Sequence, residues 1–155
     1  MDIREFQAHM WALFRSITLG MDSSLRPIIE SHGVTMTQMR ILIEVDQRGE
    51  LTVGEISQAI GSAPGNSSAM CKTLEKKGLV SRNRSLEDER IVLIAITPAG
   101  STLLKLIEGE LSSKFDPTLE QFSAEDFEEI ISGMEKLRKV VNSLHDAFET
   151  NQARR

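Results

Sequence analysis

The stretch TVGEISQAIGSAPGNSSAMCKTLEKKGLVSRNRSLEDERIVLIAIT, Thr52 to Thr97, decides the fold. It opens on Thr52-Val53-Gly54-Glu55, a capping box in which the threonine hydroxyl can accept from the N–H at the third helical position while Glu55 reaches back to the cap. Val53, Ile56, Ala59 and Ile60 then fit one helical face, and Gly61 stands where the backbone must go left-handed to leave a helix. A second helix comes next. Pro64 suits its first turn, where no N–H is required, and Ala63, Ser67, Met70, Cys71 and Leu74 recur at helical spacing until Gly78 ends it. With Leu74 at the centre of the buried face, an advance of ~100° per residue turns Gly65, Ser68, Ala69, Lys72 and Lys76 outward and leaves Asn66 on the flank.

That outward face is small near its N-terminus and cationic further along. Small polar residues let a helix approach base edges closely and lysines suit phosphates, so the face fits a helix lying in a major groove. A solvated surface helix would show the same pattern, and the residues after Gly78 separate the two. Leu79 to Arg84 alternates like a strand, Ser85 to Arg90 is a charged tip, and Ile91 to Ile96 is a β-branched run ending at Thr97-Pro98. This is a hairpin with a basic arm. Arg82 and Arg84 share one face of the first strand, and Arg90 closes the tip, so three guanidiniums can converge on a backbone or a narrow groove.

Helix, turn, helix and hairpin in this order look like a winged helix-turn-helix. More specifically, Leu74-Glu75-Lys76-Lys77-Gly78-Leu79-Val80, Arg82-Asn83-Arg84-Ser85, Glu87-Asp88-Glu89-Arg90 and Ile94-Ala95-Ile96-Thr97-Pro98-Ala99-Gly100 resemble, in order and spacing, the MarR family of bacterial transcriptional regulators. The resemblance implies a dimeric regulator that binds a palindromic operator in double-stranded DNA, a repressor released by a small-molecule effector. It implies that Arg90 enters the minor groove while Asp88 holds the wing in shape. The implied DNA-binding set is Ser62, Pro64, Gly65, Asn66, Ser68, Ala69, Lys72, Lys76, Arg82, Arg84, Asp88 and Arg90. Family ligands sit where the N-terminal helix meets the DNA-binding core, which here points to Met10, Trp11, Phe14, Met36 and Met39; core packing is the alternative role for each. Two positions depart from the pattern. Ala63 replaces the usual hydroxyl cap of the second helix, leaving Ser62 as the expected cap, and Ala69 replaces a frequent arginine.

Outward from this centre, Ile3, Phe6, Met10, Leu13 and Ile17 alternate three and four apart, as in a helix that packs along another helix. Met21, Leu25, Ile28 and Ile29 continue the pattern, with a kink or break expected at Pro27. Thr35 or Thr37 caps a helix carrying Met39, Ile41, Leu42 and Val45, ending near Arg48-Gly49. After the wing, Thr97-Pro98 starts a helix with Leu103, Leu104, Ile107 and Leu111 on one face, running to about Phe115 until Pro117 interrupts it. The last helix has a sharp start: Ser123 caps, Asp126 stands three on, and Phe122 and Phe127 form a hydrophobic staple. Its seam of Phe127, Ile130, Met134, Leu137, Val141, Leu144 and Phe148 needs a partner. The expected fold is therefore mainly α with a small β-hairpin wing: a winged helix-turn-helix core at 33–98, a long N-terminal dimerisation helix at 1–32, C-terminal dimerisation helices at 99–150 and a frayed tail at 151–155, one structural domain overall. Coverage of the core within a monomer is the alternative to a homodimer.

Length and composition, 155 residues with 40% hydrophobic content, suit a single soluble domain. With no tyrosine and one tryptophan there is little material for stacking single-stranded bases. The formal net charge of −5 looks wrong for a DNA binder until its distribution is read. Ser62 to Arg90 carries six basic and four acidic residues, whereas Ile107 to Thr150 carries eleven acidic and four basic ones. An acidic body with a basic edge is compatible with DNA, because local phosphate contacts set binding. Cys71, the one cysteine, falls on a buried face as a small hydrophobe, and His9, His32 and His145 have no metal-ligand spacing. No cofactor is expected. No apolar run long enough for a membrane span and no leader pattern appears, which makes the cytoplasm the expected location. No nucleophile–base motif or phosphate loop supports an enzyme. A winged helix that binds protein is the competing class, against which the wing arginines argue, since they suit an apolar interface poorly.

Overall fold

The structure, a computed structural model, describes residues 1–84 and 91–152, without the side chains at 145 and from 147 on. The elements in chain order are α1 (Ile3–Ser31), α2 (Met36–Arg48), β1 (Leu51–Thr52), α3 (Val53–Ile60), α4 (Pro64–Lys76), β2 (Val80–Arg84), β3 (Val92–Ile96), α5 (Pro98–Leu119) and α6 (Ala124–Gln152). They fall into two compact units, Met1–Ser112 and Ser113–Arg155.

In the first unit the periodic apolar positions close on one core. Ile41, Leu42 and Val45 of α2, Ile56 and Ile60 of α3, Cys71 and Leu74 of α4, Val80 and Ile94 of the sheet, and Leu104 and Ile107 of α5 are all buried together. Ile29, near the C-terminal end of α1, joins the same cluster. Burying each large aliphatic side chain is worth about 1.5–3 kcal/mol, so this cluster supplies most of what holds five helices on a three-stranded sheet. Local chemistry sets the helix starts. Thr35 with Gln38, and Thr52 with Glu55, each form a complete capping box. The Glu55 carboxyl is held below its ordinary range by the Thr52 N–H and hydroxyl that it accepts from.

The sheet is larger than a hairpin. Its order is β1-β3-β2, all antiparallel, with Leu51 opposite Ile94 and Val80 opposite Ile96. A strand as short as Leu51–Thr52 leaves no alternation to read, and it forms because Leu51 is buried against the core beside β3. Neither proline ends its helix. α1 passes through Pro27 and α5 through Pro117 without a break. A proline removes one intrahelical donor, but Ile28 and Ile29 are buried immediately after Pro27, and that packing carries the helix past it.

The junction between α4, the sheet and α5 is tightly built. Gly78, at φ 71°, donates to the Glu75 carbonyl at 2.8 Å, and Leu79 donates to Leu74 at 3.0 Å, a Schellman ending. The Thr97 hydroxyl donates to the Gly78 carbonyl at 2.6 Å and accepts from the Gly100 N–H at 3.1 Å, while the Thr97 N–H donates to the Leu79 carbonyl at 3.1 Å.

In the second unit, Ser123 and Asp126 cap α6 reciprocally, with N–H to side-chain distances of 2.8 and 3.1 Å, and the Phe122 and Phe127 rings lie 6.3 Å apart as the staple requires. These bonds from Ser123 hold the Asp126 carboxyl below its ordinary range. Phe127, Ile130, Met134, Val141 and Leu144 all remain exposed. Phe148 lies outside the described side chains. In α1, Ile3, Trp11, Leu13, Ile17 and Leu19 are likewise exposed.

A methyl group at position 100 would lie 2.2 Å from the Leu79 carbonyl oxygen, a backbone atom, and 2.7 Å from Ile96. Gly100→Ala should therefore cost about 1–3 kcal/mol in urea unfolding, as overpacking does. The same change at Gly109, which has open space around it, should be neutral or slightly stabilising.

Candidate nucleic-acid interface

The turn into α4 is made by Gly61 in the left-handed conformation, φ 65°, with the Ser62 N–H donating to the Ser57 carbonyl at 3.0 Å. Ala63, not Ser62, occupies the cap of α4, and its side chain makes no capping bond. Ser62 is one position too early: an N-cap side chain reaches donors two or three residues on, which from Ser62 would be Pro64, with no N–H, and Gly65. The N-terminus of α4 thus lacks the side-chain acceptor that usually covers such donors.

Along α4 the burial follows the helical period. Ser67, Cys71 and Leu74 are buried and Met70 is half-buried, while Pro64, Gly65, Asn66, Ala69, Lys72 and Lys76 are exposed and Ser68 is half-buried at the margin. Ala63, placed with the apolar face by spacing, is exposed. Thr73 is exposed too, but its hydroxyl donates to the Ala69 carbonyl at 3.0 Å, so the side chain lies against its own helix. Lys77 turns back to the α1–α2 turn, where its Nζ donates to the Gly33 carbonyl. Lys72 and Lys76 are therefore the lysines of this region left to reach outward.

On β2, Arg82 and Arg84 do share one strand face, and that face is the one that carries buried Val80. Arg82 stands opposite Ile94, itself fully buried, so its stem runs over the core, and its side chain is 21% exposed. Its guanidinium lies 3.7 Å from the Glu75 carboxylate of α4. Arg84, two residues on, is exposed. Alternation could not reveal this difference, because a strand that leaves the core carries apolar and charged residues on the same face. Asp88 and Arg90, with the rest of the tip from Ser85, lie outside the described residues.

The residues suggested for a ligand cleft lie in unlike surroundings. Met39 belongs to the core and Met36 packs on it, Met10 is buried on α1, and Trp11 is 66% exposed with Phe14 beside it, ring centroids 6.4 Å apart. Among the described residues no cluster of three or more histidine, cysteine or acidic side chains could hold a metal ion, and no helix is long and apolar enough to cross a membrane.

A capped helix, a glycine turn, a second helix presenting small residues and lysines, and a strand pair at its C-terminal end define a winged helix-turn-helix DNA-binding protein. The model of the MarR family matches residues 34–92. Among relatives, the uncharacterized HTH-type transcriptional regulator YfiV of Bacillus subtilis is 26% identical over 110 residues, covering 71% of this chain and 69% of that protein. Among solved structures, a MarR family protein from Bacillus stearothermophilus superposes with a TM-score of 0.77 at 25% identity, covering 92% of this chain and 99% of that one. The MepR–DNA complex of Staphylococcus aureus shares the fold, with a TM-score of 0.69 at 24% identity over 84% of this chain and 96% of that one. Over residues 34–92 the chain matches the MarR family, and it is similar to MarR-family transcriptional regulators along most of its length.

Cys71 is fully buried, and that burial pushes its thiol above the ordinary range, partly offset by the positive charge of Arg82. A raised thiol is a poor nucleophile at neutral pH. Iodoacetamide should leave Cys71 largely unmodified in the native protein and modify it fully in urea, as read by intact mass.

Proposed function

We propose that the protein acts as a homodimer on a two-fold duplex operator, as a repressor that a small molecule releases. The observation that carries the dimer is the apolar surface left open in each unit: Ile3, Trp11, Leu13 and Ile17 on α1, and Ile130, Met134, Val141 and Leu144 on α6. Side chains of this size gain about 1.5–3 kcal/mol each when covered, and a two-fold partner built from the same helices would cover both sets. Two-fold symmetry would also present two copies of α4 to half-sites about one helical turn, ~10 bp, apart. Release by a ligand is supported by the family's way of working and by the exposed Trp11 and Phe14 rings, which offer apolar contact area on α1.

In this reading, Gly65, Asn66, Ser68 and Ala69 approach base edges, Lys72 and Lys76 take phosphates, and Pro64 and Ser62 set the angle at which α4 enters the groove. Arg84 and the wing tip, with Asp88 and Arg90, engage the flanking backbone and minor groove. Sedimentation at micromolar concentration should give two chains, and selection from random duplex DNA should return a palindrome. A stable monomer that binds as one subunit, or affinity equal for random and selected duplexes across a salt series, would overturn the proposal.

The two kinds of contact separate by substitution. Lys72→Ala should weaken all sequences alike and flatten the salt dependence by about one phosphate, whereas Asn66→Ala or Ser68→Ala should change which sequences are preferred. Arg90→Ala should cost about 1–3 kcal/mol of operator affinity with thermal stability nearly unchanged, and more on A·T-flanked sites than on G·C-flanked ones. Gel-shift titration of each variant against the selected duplex decides both.

A further inference from the structure

The pair formed by Glu75 and Arg82 joins the helix proposed to read DNA to the first strand of the wing. We infer that Arg82 acts on DNA binding as a positioning residue held by Glu75, setting the wing against α4, and not as a phosphate ligand; the inference rests on the DNA-binding role of α4 and the wing.

Three observations support it. Arg82 and Ile94 are register partners, and Ile94 is fully buried, so the arginine stem is laid over the core and its head is delivered to α4. Glu75 is the one acid in α4, which otherwise carries Lys72 and Lys76. Left alone, a carboxylate on this helix would oppose the phosphates that its lysines attract; 3.7 Å from it stands the opposite charge of Arg82, where the helix meets the strand. Finally, the buried Cys71 thiol, one turn before Glu75 on the same side of α4, also feels the Arg82 charge. The guanidinium is thus directed at the flank of α4 by a carboxylate from one side and by its own buried stem from the other.

A half-exposed ion pair contributes little to folding stability, because solvent screens it and both side chains lose freedom. Orientation is a separate matter. A small change in the angle between β2 and α4 grows along the strand and displaces Arg84, at its end, more than Arg82. An arginine whose stem lies over the core and whose head faces a carboxylate 3.7 Å away resists that change.

The test uses the full-length protein, the duplex recovered from random-sequence selection, and gel-shift titrations over a salt series. Glu75→Gln is the decisive variant. If charge alone mattered, removing an acid beside DNA would tighten binding; if Arg82 is held in place by Glu75, binding should weaken, by about 3- to 30-fold, with thermal unfolding nearly unchanged. Arg82→Gln should weaken it by a similar factor, and Glu75→Gln combined with Arg82→Gln by no more than either alone, as expected for two ends of one contact. None of the three should alter the salt slope, whereas Lys72→Gln should reduce it by about 0.9. Arg82→Lys should restore part of the lost affinity. Tighter binding by Glu75→Gln, or a reduced slope for Arg82→Gln, would overturn the inference. Failure of the parent protein to bind any duplex in a salt-dependent way would instead overturn the DNA-binding role itself.

Discussion

The structure depends most on the crowded junction around Leu79. Its N–H closes the end of α4, its carbonyl accepts from Thr97 at the end of β3, and the same carbonyl oxygen lies against Gly100 in the first turn of α5. The two peptide units that flank one residue therefore fix the end of α4, the start of β2 and the entry to α5. The Thr97 hydroxyl doubles the link by bridging Gly78 and Gly100. Such a joint has no slack: glycine is required at position 100 because of what touches it, not because of its backbone angles.

A stiff joint at this place has a consequence for binding. In the proposed binding mode helix and wing meet the duplex together, and each degree of play between them would be lost as entropy on association. The Glu75–Arg82 pair lies one helical turn before the joint on α4 and two residues beyond Val80 on β2, so it bears on the same angle from the solvent side. Glu75, the one acid in α4, is then the counterpart of a strand arginine.

The apolar surface of the chain divides in the same spirit. The core of the first unit is complete, from Ile29 to Ile107, and its polar residues find partners: Ser57 donates to Val53 and Ser67 to Ala63, and among the described residues no buried side-chain polar atom is left without a bond. The faces of α1 and α6 are incomplete by comparison. Large apolar side chains at three- and four-residue spacing stay exposed along much of two 29-residue helices, and covering them is what the proposed dimer would do.

What the sequence by itself determined was whatever chemistry acts within a few residues. The caps at Thr52 and Ser123, the left-handed Gly61, the helix ends at Gly49 and Gly78, the Phe122–Phe127 staple and the burial of Cys71 and Leu74 were all legible, because each depends on spacing along one helix or on a single backbone conformation; the choice of Thr35 over Thr37 as the cap of α2 was not. The order of elements around the wing was legible for the same reason, and the motifs placed along it carried the resemblance to a family. What only the tertiary structure decided were the features whose cause lies far along the chain. Leu51–Thr52 is a strand because β3 lies beside it, Pro27 is carried inside a helix because its neighbours are buried, Lys77 is drawn away from the outward face by the Gly33 carbonyl, and Arg82 turns inward to Glu75. Periodicity says which residues share a face. It cannot say which distant element packs against that face, and for a charged side chain with a long stem that neighbour decides whether it meets solvent, a partner or DNA.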